Sequence, residues 1–163
     1  MIEIRLATDD DVDAIVDLFH AIDVHYYGED APSRAAIDQH VRGSVLGPRS
    51  GVDIVLALRA GSPVGIATFS VLYPAPENRG QLFMKDLFTT ADARGDGVGE
   101  QIMRFLAAHA LDLGCGRFDW TAETSNPRAL AFYDRLGADV VSEKVYFRIS
   151  GDALERFGEG EPI

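Results

Sequence analysis

The chain has 163 residues, of which 47% are hydrophobic, so its length and composition fit one globular domain with a packed core. Its 26 acidic and 15 basic residues give a net charge of −11, which disfavours nonspecific binding to nucleic acid. An acidic surface attracts cations and so favours an amine substrate, although the same charge also serves simply to keep a protein soluble.

Two classes of segment are absent from the sequence. No apolar run approaches the roughly 20 residues that a membrane span requires, and residues 1–11 lack the basic region of a signal peptide. We therefore expect no membrane association and a cytoplasmic location.

The single cysteine, Cys115, excludes an internal disulfide, and the four histidines show no metal-ligand spacing, so no metal is expected.

The first part of the chain predicts one strand and two helices. Alternating apolar residues at 2–6 indicate the strand, and Thr8, three residues before Asp11, has the spacing of a helix cap. The polar stretch at residues 23–32 is predicted to form a loop after that helix. Ser33 is predicted to cap the second helix.

The middle of the chain predicts a meander of three strands. Residues 54–58 form a continuous apolar run, which is typical of a strand buried on both faces. A turn at residues 60–63 leads to a second strand at 64–72, which Pro74 and Pro76 are expected to end. The third strand is predicted at residues 81–90.

The rest of the chain predicts two strand–helix units and a last strand. A long helix begins at Gly97 or Val98, and a strand at 118–122, a helix at 126–136 and a strand at 140–149 follow it. The whole order, β-α-α-β-β-β-α-β-α-β, predicts one α/β domain over residues 1–163. Its sheet is mixed, an antiparallel meander followed by the two strand–helix units, with helices on both faces.

The most specific segment is the glycine-rich loop at residues 94–99, before the long helix. Its glycines permit positive φ, the free N–H groups of a helix start attract phosphate, and Arg94 adds a permanent positive charge. The third glycine comes one residue too early for a Rossmann fingerprint, and no Gly-Lys-Ser/Thr follows for a Walker loop. A turn that only connects two elements remains the competing interpretation.

The loop resembles the R/Q-x-x-G-x-G/A signature of the GNAT acetyltransferases, and Asn126–Gly137 resembles that family's N-x-x-A-x-x-F-Y-x-x-x-G pattern. The resemblance covers nearly the whole chain. It implies the GNAT fold and acetyl-coenzyme A as acetyl donor. The residues that it implies for cofactor binding are Leu87, Phe88, Thr89, Arg94, Gly95, Asp96, Gly97, Val98, Gly99, Glu100, Asn126 and Tyr133.

Within that family the chain looks most like the spermidine/spermine and thialysine acetyltransferases. Residues 85–89, 25–30 and 146–148 carry this likeness, which also implies a homodimer. Those enzymes have an acidic residue at the position of Lys85 that helps to bind a polyamine. Because a cation would repel a polyamine, Lys85 suits an acceptor that bears a carboxylate.

Acetyl transfer needs a neutral amine, a stabilised oxyanion and a proton for the departing thiolate. By resemblance, Tyr133 gives that proton, and a backbone N–H among residues 87–89 stabilises the oxyanion. Tyr133 could instead be an ordinary packed aromatic. Asn126 is also placed as an ordinary helix cap, and a cap is compatible with contact to the cofactor arm.

The general base is predicted from chain position alone. Asp86 is the nearest candidate, with Glu123, Glu29 and His25 as alternatives. The predicted acceptor-binding residues are Tyr26, Tyr27, Glu29 and Lys85, although the first three could also be plain loop residues.

The favoured function is transfer of acetyl to the amine of a small molecule, because a polar loop at residues 23–32 would narrow the acceptor groove. The alternatives are acetylation of a protein lysine or N-terminus, and a coenzyme A-binding module without turnover.

Overall fold

The computed structural model describes residues 1–161 of the chain. They form two compact units, Met1–Glu123 and the described part of Thr124–Ile163. The single domain over residues 1–163 stays a prediction.

The first unit is built on a five-stranded sheet whose strands lie side by side in chain order. The pairs β1–β2, β2–β3 and β3–β4 are antiparallel, whereas β4 and β5 are parallel. The strands are β1 (Ile2–Leu6), β2 (Asp53–Arg59), β3 (Ser62–Ala75), β4 (Arg79–Thr89) and β5 (Cys115–Trp120). The helices of this unit are α1 (Val12–Tyr27), α2 (Arg34–His40) and α3 (Val98–Asp112).

Helices cover both faces of this sheet. On one face Ile54 and Ile66 join a buried cluster with Ile15 of α1 and Ile37 of α2. On the other face a Cβ at Gly65 would lie 3.2 Å from the side chains of Ile102 and Val98, so α3 packs there against bare backbone. The mixed sheet between two helical layers confirms the predicted fold class.

The second unit contains two helices, α4 (Pro127–Arg135) and α5 (Asp152–Gly158). Asn126 caps α4, since its side-chain oxygen accepts a hydrogen bond from the N–H of Ala129 at 3.1 Å. The predicted helix at residues 126–136 is therefore confirmed. The helix at residues 152–158 was not predicted.

The predicted strand at residues 140–149 is wrong. Residues 144–150 have no regular secondary structure, and Val145, Tyr146 and Phe147 are exposed. Alternating apolar side chains supply the pattern of a strand, but a strand also needs a hydrogen-bonded neighbour. No described residue pairs with this segment in a sheet.

Three predicted boundaries are also wrong. Helix α1 runs on to Tyr27, so Tyr26 and Tyr27 lie in its last turn and not in a loop. Strand β3 continues through Pro74 to Ala75. The pairing register with β4 shifts between Leu72 and Ala75, and at such an irregularity a proline removes no hydrogen bond between the strands. Strand β5 begins at Cys115, directly after Gly114 ends α3 at positive φ.

An ion pair fixes the start of the chain against the first helix. The Arg5 guanidinium donates two hydrogen bonds of 2.7 Å to the carboxylate of Asp11. The same carboxylate accepts hydrogen bonds from the N–H and hydroxyl of Thr8, which confirms the predicted cap. These bonds, led by those from Arg5, hold the pKa of Asp11 far below its ordinary value although burial opposes the shift.

This cap should make stability depend on pH. The folded-state pKa of Asp11 is lowered, so the carboxylate stabilises the fold fully above the unfolded pKa, about 3.9, and less as the pH falls below it. We expect Asp11→Asn to lower the free energy of unfolding by about 2 kcal/mol at pH 7, and the loss to shrink between pH 5 and pH 3. Urea unfolding measures it. Asp10→Asn, which changes the net charge equally, should have little effect; a loss at Asp11 that does not vary with pH would contradict the account.

Candidate functional site

Strand β4 runs on beyond the end of its pairing with β5. The last pair between them is Met84 with Trp120, whereas the pairing of β4 with β3 continues to Thr89 with Gly65. Within the sheet of the first unit, residues 86–89 therefore have a strand on one side only. Backbone N–H and C=O groups along such an edge can hold an extended ligand as another strand would. The predicted cofactor residues Leu87, Phe88 and Thr89 all lie on this open edge.

A β-bulge lies where the open edge begins. Thr68 pairs with Asp86 and Phe69 with Met84, so Lys85 has no partner on β3. The bulge brings the neighbouring side chains of Lys85 and Asp86 together, with Nζ and Oδ1 3.7 Å apart. Lys85 is 74% exposed and Asp86 38%, so both groups are open to solvent. The predicted base and the predicted acceptor contact thus lie side by side.

The carboxylate of Asp86 is held from the sheet side. Its Oδ2 accepts a hydrogen bond of 2.8 Å from the hydroxyl of Thr68, which is buried in β3. Thr68 was not among the residues predicted from the sequence. A threonine within the buried apolar run of a predicted strand is the signal that could have found it, because a buried hydroxyl needs a hydrogen-bond partner.

The glycine-rich loop connects the open edge to α3. Gly95 and Gly97 have φ values of +94° and +75°, which L-residues with a side chain rarely adopt, and nothing lies within 4 Å of a Cβ built on either. Both are exposed, and α3 begins at Val98, with Gly99 and Glu100 in its first turn. The loop thus offers bare backbone beside a helix N-terminus, which fits the pyrophosphate of coenzyme A.

Arg94 lies between the loop and the open edge. Its Nε donates to the carbonyl oxygen of Thr89 at 3.4 Å, and its guanidinium carbon lies 5.9 Å from the centre of the Phe88 ring. The half-buried side chain therefore follows β4 and puts a permanent positive charge beside the predicted cofactor edge.

The two acidic residues of the loop region are each paired with an arginine. Asp96 forms an ion pair with Arg59 of β2, and Glu100 with Arg104 one turn along α3. Because a carboxylate repels phosphate, their side chains are unsuited to contact it, and cofactor binding by Asp96 and Glu100 through the backbone stays a prediction. The sequence analysis missed Arg59, which lies 37 residues from Asp96 and shares no motif with it.

Arg59 should assist cofactor binding by neutralising Asp96. Because the pair is partly exposed and screened, we expect Arg59→Met to weaken binding of coenzyme A about fivefold, equivalent to ~1 kcal/mol. Adding Asp96→Asn should restore the affinity, since the unpaired negative charge is then gone. Calorimetry measures both, and Arg34→Met, which removes a surface arginine paired with Asp17 of α1, is the matched control. Equal weakening by Arg59→Met and Arg34→Met would contradict this role.

The end of α1 reaches the same strand. The His25 ring lies 6.1 Å from the Phe88 ring and 5.3 Å from Tyr26. Tyr26 and Tyr27 are 68% and 61% exposed, and Glu29 lies exposed in the 3₁₀ turn that follows. The structure therefore brings the end of α1 to the open edge, and the acceptor role of its tyrosines stays a prediction.

Tyr133 lies in α4, in the second unit. It is half-buried, and its ring centre is 5.1 Å from that of Phe132. Asn126 precedes the same helix as its cap. The cap confirms the structural interpretation of Asn126; cofactor contact by Asn126 and proton donation by Tyr133 stay predictions.

Among residues 1–161, no three His, Cys, Asp or Glu side chains are grouped as a metal site would require. No helix in that range is both long enough and apolar enough to cross a membrane.

The family follows from comparison with known proteins. The model of the acetyltransferase (GNAT) family matches residues 13–138, which is more than half of the chain. The chain therefore belongs to the GNAT acetyltransferase family, and this confirms the resemblance seen in its motifs.

Three named relatives are acetyltransferases of small molecules. L-ornithine N5-acetyltransferase of Arabidopsis thaliana is 32% identical over 91 residues, 56% of this chain and 40% of that protein. Thialysine N-epsilon-acetyltransferase of Sus scrofa is 30% identical over 94 residues, 56% of this chain and 55% of that protein. Mycothiol acetyltransferase of Propionibacterium freudenreichii is 31% identical over 143 residues, 84% and 43% of the two chains. This chain thus spans about half the length of these relatives.

Solved structures have the same fold. An integron cassette protein from the mobile metagenome of V. cholerae has a TM-score of 0.93 and 35% identity, over 97% of this chain and 98% of that one. An aminoglycoside acetyltransferase from a soil metagenome has a TM-score of 0.73 at 16% identity, over 93% and 97% of the two chains. The second likeness shows the fold alone.

Proposed function

We propose that this protein transfers an acetyl group from acetyl-coenzyme A to the amine of a small molecule. The observation that carries the proposal is the open edge of β4, which leads from Asp86 at the bulge to the glycine-rich loop before α3. An extended thioester fits this edge, because its polar arm needs strand-like partners and its pyrophosphate needs free N–H groups. The names of the ornithine, thialysine and mycothiol acetyltransferases support a small acceptor.

The cofactor would be held by backbone more than by side chains. Residues 87–89 would bind its arm, and the N–H groups from Gly95 to Gly99 its phosphates, with Arg94 adding charge. Acetyl-coenzyme A supplies an acetyl group activated as a thioester. One N–H on the open edge would donate a hydrogen bond where negative charge develops during the transfer.

We assign the movement of protons to two side chains. An alkylamine has a pKa of about 10.4, so it arrives charged at neutral pH and must lose a proton. Asp86 would take this proton on its solvent-facing carboxylate, directly or through a water molecule, and pass it to solvent. The hydroxyl of Tyr133 would supply the proton that the departing sulfur needs as the C–S bond breaks. The second proton that the nitrogen releases on becoming an amide would restore that hydroxyl.

Lys85 favours an acceptor that carries its own carboxylate. Its ammonium group lies beside Asp86, so an acceptor amine that approaches Asp86 also approaches a positive charge. Such a charge repels a second amine but attracts a carboxylate. Ornithine and thialysine, named in two relatives, both combine an amine with a carboxylate. We therefore propose an amino acid or a related zwitterion as the acceptor.

The assay is release of free thiol from acetyl-coenzyme A with amino acids, polyamines, aminoglycosides and a short peptide as acceptors. We expect the highest kcat/KM with a diamino acid, and a fall in kcat of about 10²-fold in Tyr133→Phe while coenzyme A still binds. A preference for polyamines would contradict the role of Lys85. Thiol release from the peptide alone would support a protein-modifying enzyme instead, and unchanged turnover in Tyr133→Phe would remove Tyr133 from the mechanism.

We also propose a homodimer in the cytoplasm, where acetyl-coenzyme A is available. Residues 140–149 expose several large apolar side chains, and clusters of that kind mark protein interfaces. They are Val140, Val141, Val145, Tyr146 and Phe147. Sedimentation velocity should give the mass of two chains, and Tyr146→Ser with Phe147→Ser should shift it towards one. A single-chain mass for the unaltered protein would contradict the dimer.

A further inference from the structure

One polar side chain lies buried within the sheet, beside the proposed site. Among the described residues, Asp11 and Thr68 are the buried residues with polar or charged side chains. Asp11 belongs to the cap of the first helix, far along the chain from the bulge. Thr68 is 3% exposed and lies in β3 between Ala67 and Phe69, which are buried apolar residues. A hydroxyl in such surroundings costs free energy unless a hydrogen bond satisfies it.

The hydroxyl of Thr68 is hydrogen-bonded to the carboxylate of Asp86, the proposed base. Its hydroxyl donates to Oδ2 of Asp86 at 2.8 Å, across a directly paired position of β3 and β4. The other carboxylate oxygen, Oδ1, lies 3.7 Å from Nζ of Lys85. One oxygen is thus held by the sheet, and the other lies beside Lys85, the proposed acceptor contact.

The bulge places Lys85 where it competes with Thr68 for the carboxylate of Asp86. The terminal torsion of an aspartate has a broad energy well, so the carboxylate turns easily unless something holds it. Lys85, brought alongside by the bulge, attracts both oxygens. Without the hydroxyl of Thr68, the carboxylate would turn to bind the ammonium with both oxygens, and neither would then be well placed to take a proton.

We propose that Thr68 is a positioning residue for catalysis: it holds Asp86 in the orientation that accepts the proton of the amine, against the pull of Lys85. This inference rests on the proposed function, because it gives Asp86 the role of base. It adds a residue that touches neither the acceptor nor the cofactor and acts only through Asp86. A purely structural threonine would affect folding but not the proton transfer.

The test compares Thr68→Val, which keeps the shape and removes the hydroxyl, with Thr68→Ser, which keeps the hydroxyl. In steady-state assays with the best acceptor, Thr68→Val should lower kcat about tenfold while KM changes less than twofold. Thr68→Ser should retain most of kcat. The thermal unfolding midpoint and the affinity for coenzyme A, measured on the same samples, control for damage to the fold.

A double-mutant cycle shows whether Thr68 acts through Asp86. In an Asp86→Ala background, Thr68→Val should cause no further loss of kcat, because the group that it positions is gone. Equal losses in both backgrounds would overturn the inference, as would an unchanged kcat in Thr68→Val.

The outcomes also separate this inference from the proposed function. If Asp86→Ala slows acetyl transfer but Thr68→Val does not, the function stands and the inference fails. If Asp86→Ala leaves kcat for acetyl transfer unchanged, Asp86 is not the base. The inference then fails, because Thr68 has no base to position. If no amine in the panel is acetylated, the proposed function itself is overturned, and the inference with it.

Discussion

The site depends on the point at which β4 and β5 stop pairing. From Gly80 to Met84 the two strands run parallel and hydrogen-bonded, and beyond Met84 β4 continues with β3 alone. Residues 86–89 are only half-buried, so the backbone N–H and C=O groups along this open edge are available to water or to a ligand. In this fold the open edge ends near the loop whose glycines expose backbone at the start of α3. One interruption of the sheet thus gives a ligand both strand-like contacts and a place for phosphate.

The bulge at Lys85 determines which side chains face the open end of the site. An extra residue in one strand places two neighbouring side chains on the same side, which regular alternation would separate. Here those two residues are a cation and a carboxylate, and Thr68 on the paired strand holds the carboxylate. The proposed roles differ accordingly: Asp86 would take the proton, Lys85 would select the charge of the acceptor, and Thr68 would fix one oxygen of the Asp86 carboxylate.

The sequence predicts those parts of the fold that depend on short-range patterns. The cap at Thr8, the buried run at residues 54–58, the start of α3 and the helix at 127–135 were all predicted, because each depends on residues within a few positions. Residues 140–149 form no strand in the structure. Their alternating apolar side chains suit a strand, but this pattern does not reveal whether a neighbouring strand is present to pair with them. The bond from Thr68 to Asp86 and the pair of Arg59 with Asp96 join residues far apart in the chain, so only the fold reveals them.

In the proposed function, the open edge and the glycine-rich loop together bind the cofactor. Backbone amide hydrogen exchange, with and without coenzyme A, tests this binding most directly because it needs no acceptor. We expect slower exchange on adding coenzyme A at residues 87–89 and 95–99, with no change along β1 and β2. Exchange that stays the same in both segments at saturating coenzyme A would contradict it.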